Sequence, residues 1–339
     1  MKTDDYSTAL VEILRDIKRD GHTDGWLERR IHVESAFSLH AAVMVKEELP
    51  ALIIKMEEAL HIARELKQRN NGFTCEVLIG RSHTTIAIRS SGTAYIEIFK
   101  KLITYVIDDV KIETNPKVAV KKVAEILELW RRWGESRNEG LSKSTVTGLF
   151  GELTFIQMGL DEGCDPLELI KSWKGPTPEE SDQDFSLGNC AVEVKTTGAD
   201  NPDMCIINNL VQLDKIGIRH LYLFRLAFDI RDGSGVTLPE LVELLRSKMK
   251  DESPVALNDL MKKLLKLKYL HADSDKYLRF GFTKRFFNFY QVKDDFPTLT
   301  RKDVRTGVTD AKYTIDLATA AKCTVSSSEV LSRFKKENV

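Results

Sequence analysis

The sequence predicts a mixed α/β fold (mixed α+β): a mixed β-sheet flanked by helices, with N- and C-terminal α+β extensions. Three observations carry that prediction. Over residues 184–195 the side chains alternate with a period of two about Gly188-Asn189, a Gly-X pair of the kind that closes two-residue hairpins. Upstream, Leu149, Leu153, Ile156 and Leu160 recur at offsets of four, seven and eleven, forming one apolar helical face. Downstream, residues 221–228 form a dense apolar run, expected as a central strand of the sheet.

In chain order, residues 5–19 place Leu10, Ile13, Leu14 and Ile17 on one helical face, and residues 50–68 read as a second helix opened by Pro50. Over 75–89 the pattern changes to strands, with Gly80-Arg81-Ser82-His83 as the turn, and 94–109 and 116–133 return to helical periodicity. The polar, glycine-containing stretch 134–144 marks a boundary, so 1–138 is expected to be an α+β N-terminal module. The core, 139–235, reads as helices at 145–160 and 166–173, a loop at 174–181, a hairpin at 182–197, a strand or turn at 204–209, a helix start at 210–217 and a strand at 220–229. Asp165-Pro166-Leu167-Glu168 is a helix start with Asp as cap, Pro at the first position and Glu at the third. Arg231-Asp232-Gly233-Ser234-Gly235 is expected to close the core. The C-terminal α+β region, 236–339, has helices at 238–249 and 255–270 and then aromatic-rich strands.

Composition bounds the function classes. At 339 residues, 42% hydrophobic and 30% charged, the chain is an ordinary globular protein. A formal net charge of −1 supplies no global attraction for nucleic acid, so phosphate contacts must come from local basic clusters or from a partner that delivers the substrate. Cys75, Cys164, Cys190, Cys205 and Cys323 form no Cys-x-x-Cys pair, which argues against structural zinc; Cys190 and Cys205 read as small buried strand residues. The polar start Met1-Lys2-Thr3-Asp4-Asp5 and the lack of a long apolar run lead to the expectation of a cytoplasmic protein without a membrane partner. No phosphate-binding loop, dinucleotide fingerprint, zinc-protease motif or nucleophile elbow is present, and His32, His40 and His61 have no ligand spacing.

The hairpin carries the chemistry. With Gly188-Asn189 as its loop, Leu187 pairs with Cys190, Ser186 with Ala191, Phe185 with Val192 and Asp184 with Glu193. Opposed Cβ atoms lie roughly 4.5–5.5 Å apart, where like charges repel. Asp184 against Glu193 therefore calls for something positive, and a divalent cation such as Mg2+ is the natural candidate. Glu193 and Lys195 share one face, while Val192 and Val194 point into a core. Two carboxylates and an ammonium on one sheet face suit phosphodiester hydrolysis. A plainer reading stands beside it: Glu-x-Lys on a strand often forms a solvated face, and Asp182 is placed to make a simple salt bridge with Lys195. Glu152 falls at the edge of the upstream apolar stripe, with Gly148 and Gly151 on its flank, which suggests a close approach of metal, backbone or nucleic acid; an ordinary boundary glutamate fits the spacing equally. Thr196 and Thr197 could donate to phosphate or simply favour a strand. Lys262, Lys263, Lys266 and Lys268 on a predicted helix, and the interleaved Lys284-Arg285-Phe286-Phe287-Asn288-Phe289-Tyr290, are basic clusters; for the latter a buried strand beside a charged turn is the favoured reading.

These residues resemble the signature of the PD-(D/E)XK nuclease superfamily, with its restriction-endonuclease-like core. Asp184 stands for the first acid, Glu193 for the second and Lys195 for the lysine, with Gln183 where a proline often stands. More narrowly, Gly148-Leu149-Phe150-Gly151-Glu152-Leu153, Trp173, Asp184-Phe185, Glu193-Val194-Lys195 and Gln212-Leu213 resemble the bacterial family named after this motif, found among restriction and phage-defence genes. The resemblance implies a metal-dependent DNA endonuclease using Mg2+, with Mn2+ as a substitute. Asp184, Glu193, the carbonyl of Val194 and Glu152 are the implied metal ligands, and Lys195 is implied to position or activate water. Gln212 is implied near the active site, touching water or phosphate, although a surface glutamine at a helix start fits as well. DNA is the implied partner, with defence subunits such as an ATPase, helicase or methyltransferase. A homodimer would supply two sites for two strands. The rival from another class is a non-catalytic DNA-binding or assembly subunit that keeps the nuclease fold.

Overall fold

The structure is a computed structural model that describes residues 6–31, 35, 37–70, 72–135, 140–175, 182–269, 271–293 and 295–335. The chain divides into two compact units, Met1–Asn138 and Glu139–Val339. Parts of the expected 134–144 and 174–181 stretches, and His32, lie outside the described residues.

The first unit opens with α1 (Tyr6–Asp20), followed by strands β1 (Trp26–Ile31), β2 (Ser38–Met44), β3 (Leu49–Met56), β4 (Gln68–Arg69), β5 (Phe73–Ile79) and β6 (Thr84–Ser90). They form one antiparallel sheet in the order β1-β2-β3-β6-β5-β4. Helices α2 (Ile96–Val110) and α3 (Pro116–Glu135) pack on each other, and α2 also packs against β3 and β6. The expected helix at 50–68 is absent. Its first half is β3, paired on both sides, and His61–Leu66 forms a 3-10 turn. Ala51, Leu52 and Ile54 are fully buried between neighbouring strands, so pairing and the β-branched Ile53-Ile54 outweigh the apparent helical spacing. Strands β1 and β2 carried no clear signal: Arg29 interrupts the buried side of β1 and is balanced by Glu12 and Asp16 of α1, at 2.6 Å each.

The second unit contains α4 (Lys143–Asp161), α5 (Pro166–Ser172), β7 (Phe185–Leu187), β8 (Cys190–Thr197), β9 (Met204–Ile207), β10 (His220–Arg231), β11 (Val236–Thr237), α6 (Leu238–Glu252), α7 (Pro254–Lys266), β12 (Gly281–Gln291), β13 (Tyr313–Asp316), β14 (Thr324–Val325) and α8 (Ser327–Ser332). Its main sheet runs β11-β12-β10-β8-β7. β8 and β10 are parallel and the remaining pairs antiparallel, so the sheet is mixed, with the apolar run expected to be central lying on β10. Asp165 caps α5 as its sequence predicts, accepting the Glu168 amide at 2.9 Å, and Thr237 and Glu240 form a reciprocal capping box on α6.

Helix α4 lies on one face of this sheet. Phe150 stacks on Phe282 at 4.0 Å between ring centroids, and Phe155 packs at 4.5 Å from Phe185. On the other face, the β9–β13 ribbon lays Cys205, Ile207 and Ile315 over Ala191, Leu221, Leu223 and Tyr290.

Three expectations are corrected here. The core does not close at 235, because β12 from the C-terminal region pairs along β10 and residues 139–339 cluster as one unit. Residues 210–217 are turns rather than a helix start, since Asn209 Oδ1 accepts the amides of Val211 and Gln212 at 3.2 and 3.0 Å and holds the chain in a turn. The helix expected to reach 270 ends at Lys266. Lys268 adopts φ 63°, and the amides of Lys268 and Tyr269 bond back to Leu265 and Leu264, a left-handed C-terminal stop that takes Lys268 off the helix.

Candidate functional site

The hairpin register is the one the sequence dictates: Leu187↔Cys190, Ser186↔Ala191 and Phe185↔Val192. Gly188 has φ 56°, the left-handed value that the first position of a tight II′-type turn demands and glycine adopts freely. Asp184 sits one residue before β7. Its Oδ2 accepts the Val194 amide at 2.7 Å, and its own carbonyl accepts the Lys174 amide at 2.8 Å. The first acid is thus clamped against the strand that carries the second acid and the lysine.

On β8, Val192 and Val194 are buried on the α4 side, as expected. Glu193 is only 1% exposed, which removes the solvated-face reading of Glu-x-Lys. Lys195 Nζ lies 2.6 Å from Glu193 Oε1 and donates to Gln212 Oε1 at 2.9 Å. The salt bridge of Lys195 is therefore made with Glu193 and not with Asp182. Gln212 is a member of this cluster and not a surface residue on a helix, for its Oε1 also accepts the Asn208 amide at 3.0 Å.

Glu152 reaches the cluster from α4. It is buried, its Oε2 accepts the indole N–H of Trp173 at 2.7 Å, and its carboxyl is raised well above the usual range by burial first and then by the charge of Asp184. Burial pushes Asp184 up to about 6. Burial and the adjacent Asp184 push Glu193 up to about 8. Desolvation pulls the Lys195 ammonium down, but Glu193 and Asp184 together offset this and the net shift is upward. Three acids thus share one ammonium in a dry site, which is short of positive charge.

That shortage is the test of whether a divalent cation fits. Asp184, Glu193 and the Val194 carbonyl are hard oxygen donors of the kind Mg2+ takes, and Mg2+ is commonly held by one or two carboxylates together with substrate phosphates. The residues fit on that basis. Among the described residues, however, no group of three or more His, Cys, Asp or Glu side chains is gathered as a ready metal cage, so the expected three-acid ligand set that includes Glu152 is not assembled here. Glu152 is committed to Trp173 instead.

The glycines beside Glu152 serve different ends. A Cβ on Gly151 would stand 1.9 Å from Thr196 Oγ1 and 3.4 Å from Val194 Cγ1, so this glycine lets α4 press onto β8. Gly148 faces open space. Thr196 is accordingly turned toward α4, with its hydroxyl buried and without a hydrogen-bond partner, and Thr197 Oγ1 accepts the Ala199 amide at 3.0 Å.

Sequence reasoning missed two supports. Gln183 donates its side-chain amide to the carbonyls of Val211 and Gln212 at 3.0 and 3.4 Å, holding the segment that carries Gln212. Arg225, 3% exposed, donates to the carbonyls of Pro202 and Met204 and holds the entry to β9. A glutamine in place of the usual proline and an arginine inside an apolar run were the only available signals. Members of both basic clusters are engaged: Lys263 bonds the Trp173 carbonyl, Arg285 bonds the Ala199 carbonyl and lies 3.5 Å from Asp229, and Lys284 sits 4.7 Å over the Phe287 ring.

A family model described as "Putative PD-(D/E)XK family member, (DUF4420)" matches residues 10–318. The mixed sheet flanked by helices is consistent with a PD-(D/E)XK-like, nuclease-like fold. No curated protein and no solved structure gives a significant match. No helix among the described residues is long and apolar enough to cross a membrane.

Proposed function

We propose, on the premise that the chain belongs to this PD-(D/E)XK family, that it is a metal-dependent endonuclease hydrolysing phosphodiester bonds in DNA within a restriction or phage-defence system. The observation that supports this best is the seating of Lys195 between Glu193 and Gln212, on the strand whose Val194 amide clamps Asp184. Asp184, Glu193 and the Val194 carbonyl would hold Mg2+, or Mn2+ in its place. When bound, such a cation lowers the pKa of a water and offsets charge developing on phosphorus.

The rest is done by the chain. An ammonium has three N–H donors. Lys195 spends two on Glu193 and Gln212, and the third is free to hold the attacking water or a phosphate oxygen. Gln212 acts here as a positioning residue, because its oxygen is already taken by Lys195 and Asn208 while its amide donors remain for phosphate. Glu152, oriented by Trp173, stands behind these acids as a positioning residue. The near-neutral net charge is the reason to expect delivery by partner subunits such as an ATPase, helicase or methyltransferase, and one site per chain makes a homodimer or two rounds of cleavage the route to a double-strand cut.

The test is cleavage of supercoiled plasmid and phage DNA with Mg2+, Mn2+ or EDTA, by the parent and by Lys195→Ala. Metal-dependent nicking or linearisation that disappears in Lys195→Ala is expected. A fully active Lys195→Ala protein would sink the mechanism. A well-folded parent that neither cuts DNA nor binds Mn2+ calorimetrically would favour a non-catalytic DNA-binding or assembly subunit.

A further inference from the structure

The chain's near-zero net charge leaves open which surface meets a polyanion. The segment 297–312, between β12 and β13, answers to that description. It has no helix or strand and carries Arg301, Lys302, Arg305 and Lys312, all four exposed. Its only acids, Asp303 and Asp310, are exposed as well, but the chain engages both carboxylates, and four cations against two acids leave the segment with an excess of two positive charges. Asp303 Oδ2 accepts from the Thr300 amide and hydroxyl at 2.8 and 2.7 Å. Asp310 Oδ1 accepts the amides of Leu210 and Ala311, at 2.9 Å each. Among the described residues none of the four cations forms a close ion pair, although Lys302 interacts electrostatically with the neighbouring Asp303.

The position of this segment matters as much as its charge. Asp310 is bonded to Leu210, two residues before Gln212, which seats Lys195. The end of the segment enters β13, which pairs with β9, and Tyr313↔Ile207 is the first rung beside Asn208. Thr298 Oγ1 and Tyr313 OH, 3.2 Å apart, close its base. Four exposed cations are therefore tethered to the same short stretch, 207–212, that holds the lysine of the proposed active site.

We propose that the segment 297–312 is a phosphate-backbone grip that holds duplex DNA beside the Asp184–Glu193–Lys195 cluster. Its placement for cutting rests on the nuclease reading; its capacity to bind does not. The guanidinium groups of Arg301 and Arg305 and the ammonium groups of Lys302 and Lys312 contact phosphate oxygens without reading bases, so the contribution is sequence-independent and salt-sensitive.

The experiment measures fluorescence anisotropy of a labelled random-sequence duplex with the full-length protein in EDTA, so that no cutting is involved. The salt dependence of Kd is compared for the parent, for the fourfold variant Arg301→Ala, Lys302→Ala, Arg305→Ala and Lys312→Ala, and for the charge-keeping pair Arg301→Lys and Arg305→Lys. Each lost phosphate contact flattens the log–log salt slope by about 0.9, so the fourfold variant should lose roughly 3–4 from it. Between about 50 and about 200 mM salt the parent should then lose on the order of a hundredfold more affinity than the variant does. The charge-keeping pair should stay close to the parent. Mn2+ binding by the fourfold variant should equal that of the parent, which shows an intact fold and site. An unchanged slope and Kd in the fourfold variant, a parent that does not bind duplex, or equal loss in the charge-keeping pair overturns the proposal. DNA bound through this segment by a parent that neither cuts it nor binds Mn2+ defeats the nuclease reading alone, and cutting with an unchanged slope in the fourfold variant defeats the grip alone.

Discussion

Gly151 and Gly148 stand three residues apart on α4, and the structure sends their alanine variants in opposite directions. Replacing a helix-interior glycine by alanine gains about 1 kcal/mol from backbone entropy. At Gly148 nothing lies within 4 Å of the new methyl, so Gly148→Ala should realise that gain. At Gly151 the methyl would meet Thr196 Oγ1 at 1.9 Å, Thr196 Cβ at 3.2 Å and Val194 Cγ1 at 3.4 Å. The hydroxyl can rotate away but the branch point of Thr196 cannot, so α4 must lift from β8. Overpacking of this kind costs about 1–3 kcal/mol. Net of the propensity gain, Gly151→Ala should be destabilised by about 1 kcal/mol, which places it about 2 kcal/mol below Gly148→Ala. With a urea slope of about 2 kcal/mol/M the two midpoints should differ by about 1 M. Thr196→Ala removes the hydroxyl, itself buried without a partner, but keeps Cβ, and should recover part of the loss in the Gly151→Ala background. Urea unfolding followed by circular dichroism measures all four proteins. A Gly151→Ala midpoint equal to that of Gly148→Ala would refute the close helix–strand contact.

Two further outcomes follow from the same geometry. Trp173→Phe removes the N–H that meets Glu152 at 2.7 Å; in a double-mutant cycle with Glu152→Ala, which separates the bond from the lost ring volume, the coupling should be about 1–3 kcal/mol, and a value under about 0.5 kcal/mol would argue that the bond does not hold Glu152. Thr237→Ala breaks the capping box of α6 and should cost about 1 kcal/mol near neutral pH. Because the Thr237 amide and hydroxyl hold the Glu240 carboxyl below its usual range, the part due to Glu240 is present above the ordinary glutamate pKa and is lost as pH falls through the lowered value. A thermal-melt difference between parent and Thr237→Ala that does not narrow in acid would contradict that assignment.

What the sequence determined by itself was local and periodic. The Gly188-Asn189 turn and the period-two alternation set which residue of β7 faces which residue of β8, so Asp184, Glu193 and Lys195 could be placed together before any coordinates. The Asp165-Pro166 cap and the apolar face of α4 were legible for the same reason, since each depends on neighbours within a few residues. Tertiary structure decided whatever depended on distant partners. Residues 50–56 could satisfy either a helix or a strand, and only pairing with β2 and β6 chose. The C-terminal region looked separate because nothing local in residues 281–291 announces that they pair with β10. Gln212 met Lys195 because Gln183 and Asn209 shape a turn that no periodicity encodes. The exposed cations of 297–312 became meaningful only when Asp310 was found bonded to Leu210, a hundred residues away in sequence. Short-range sterics and hydrogen bonding are written into successive residues, whereas burial and long-range charge balance exist only once the chain has closed on itself.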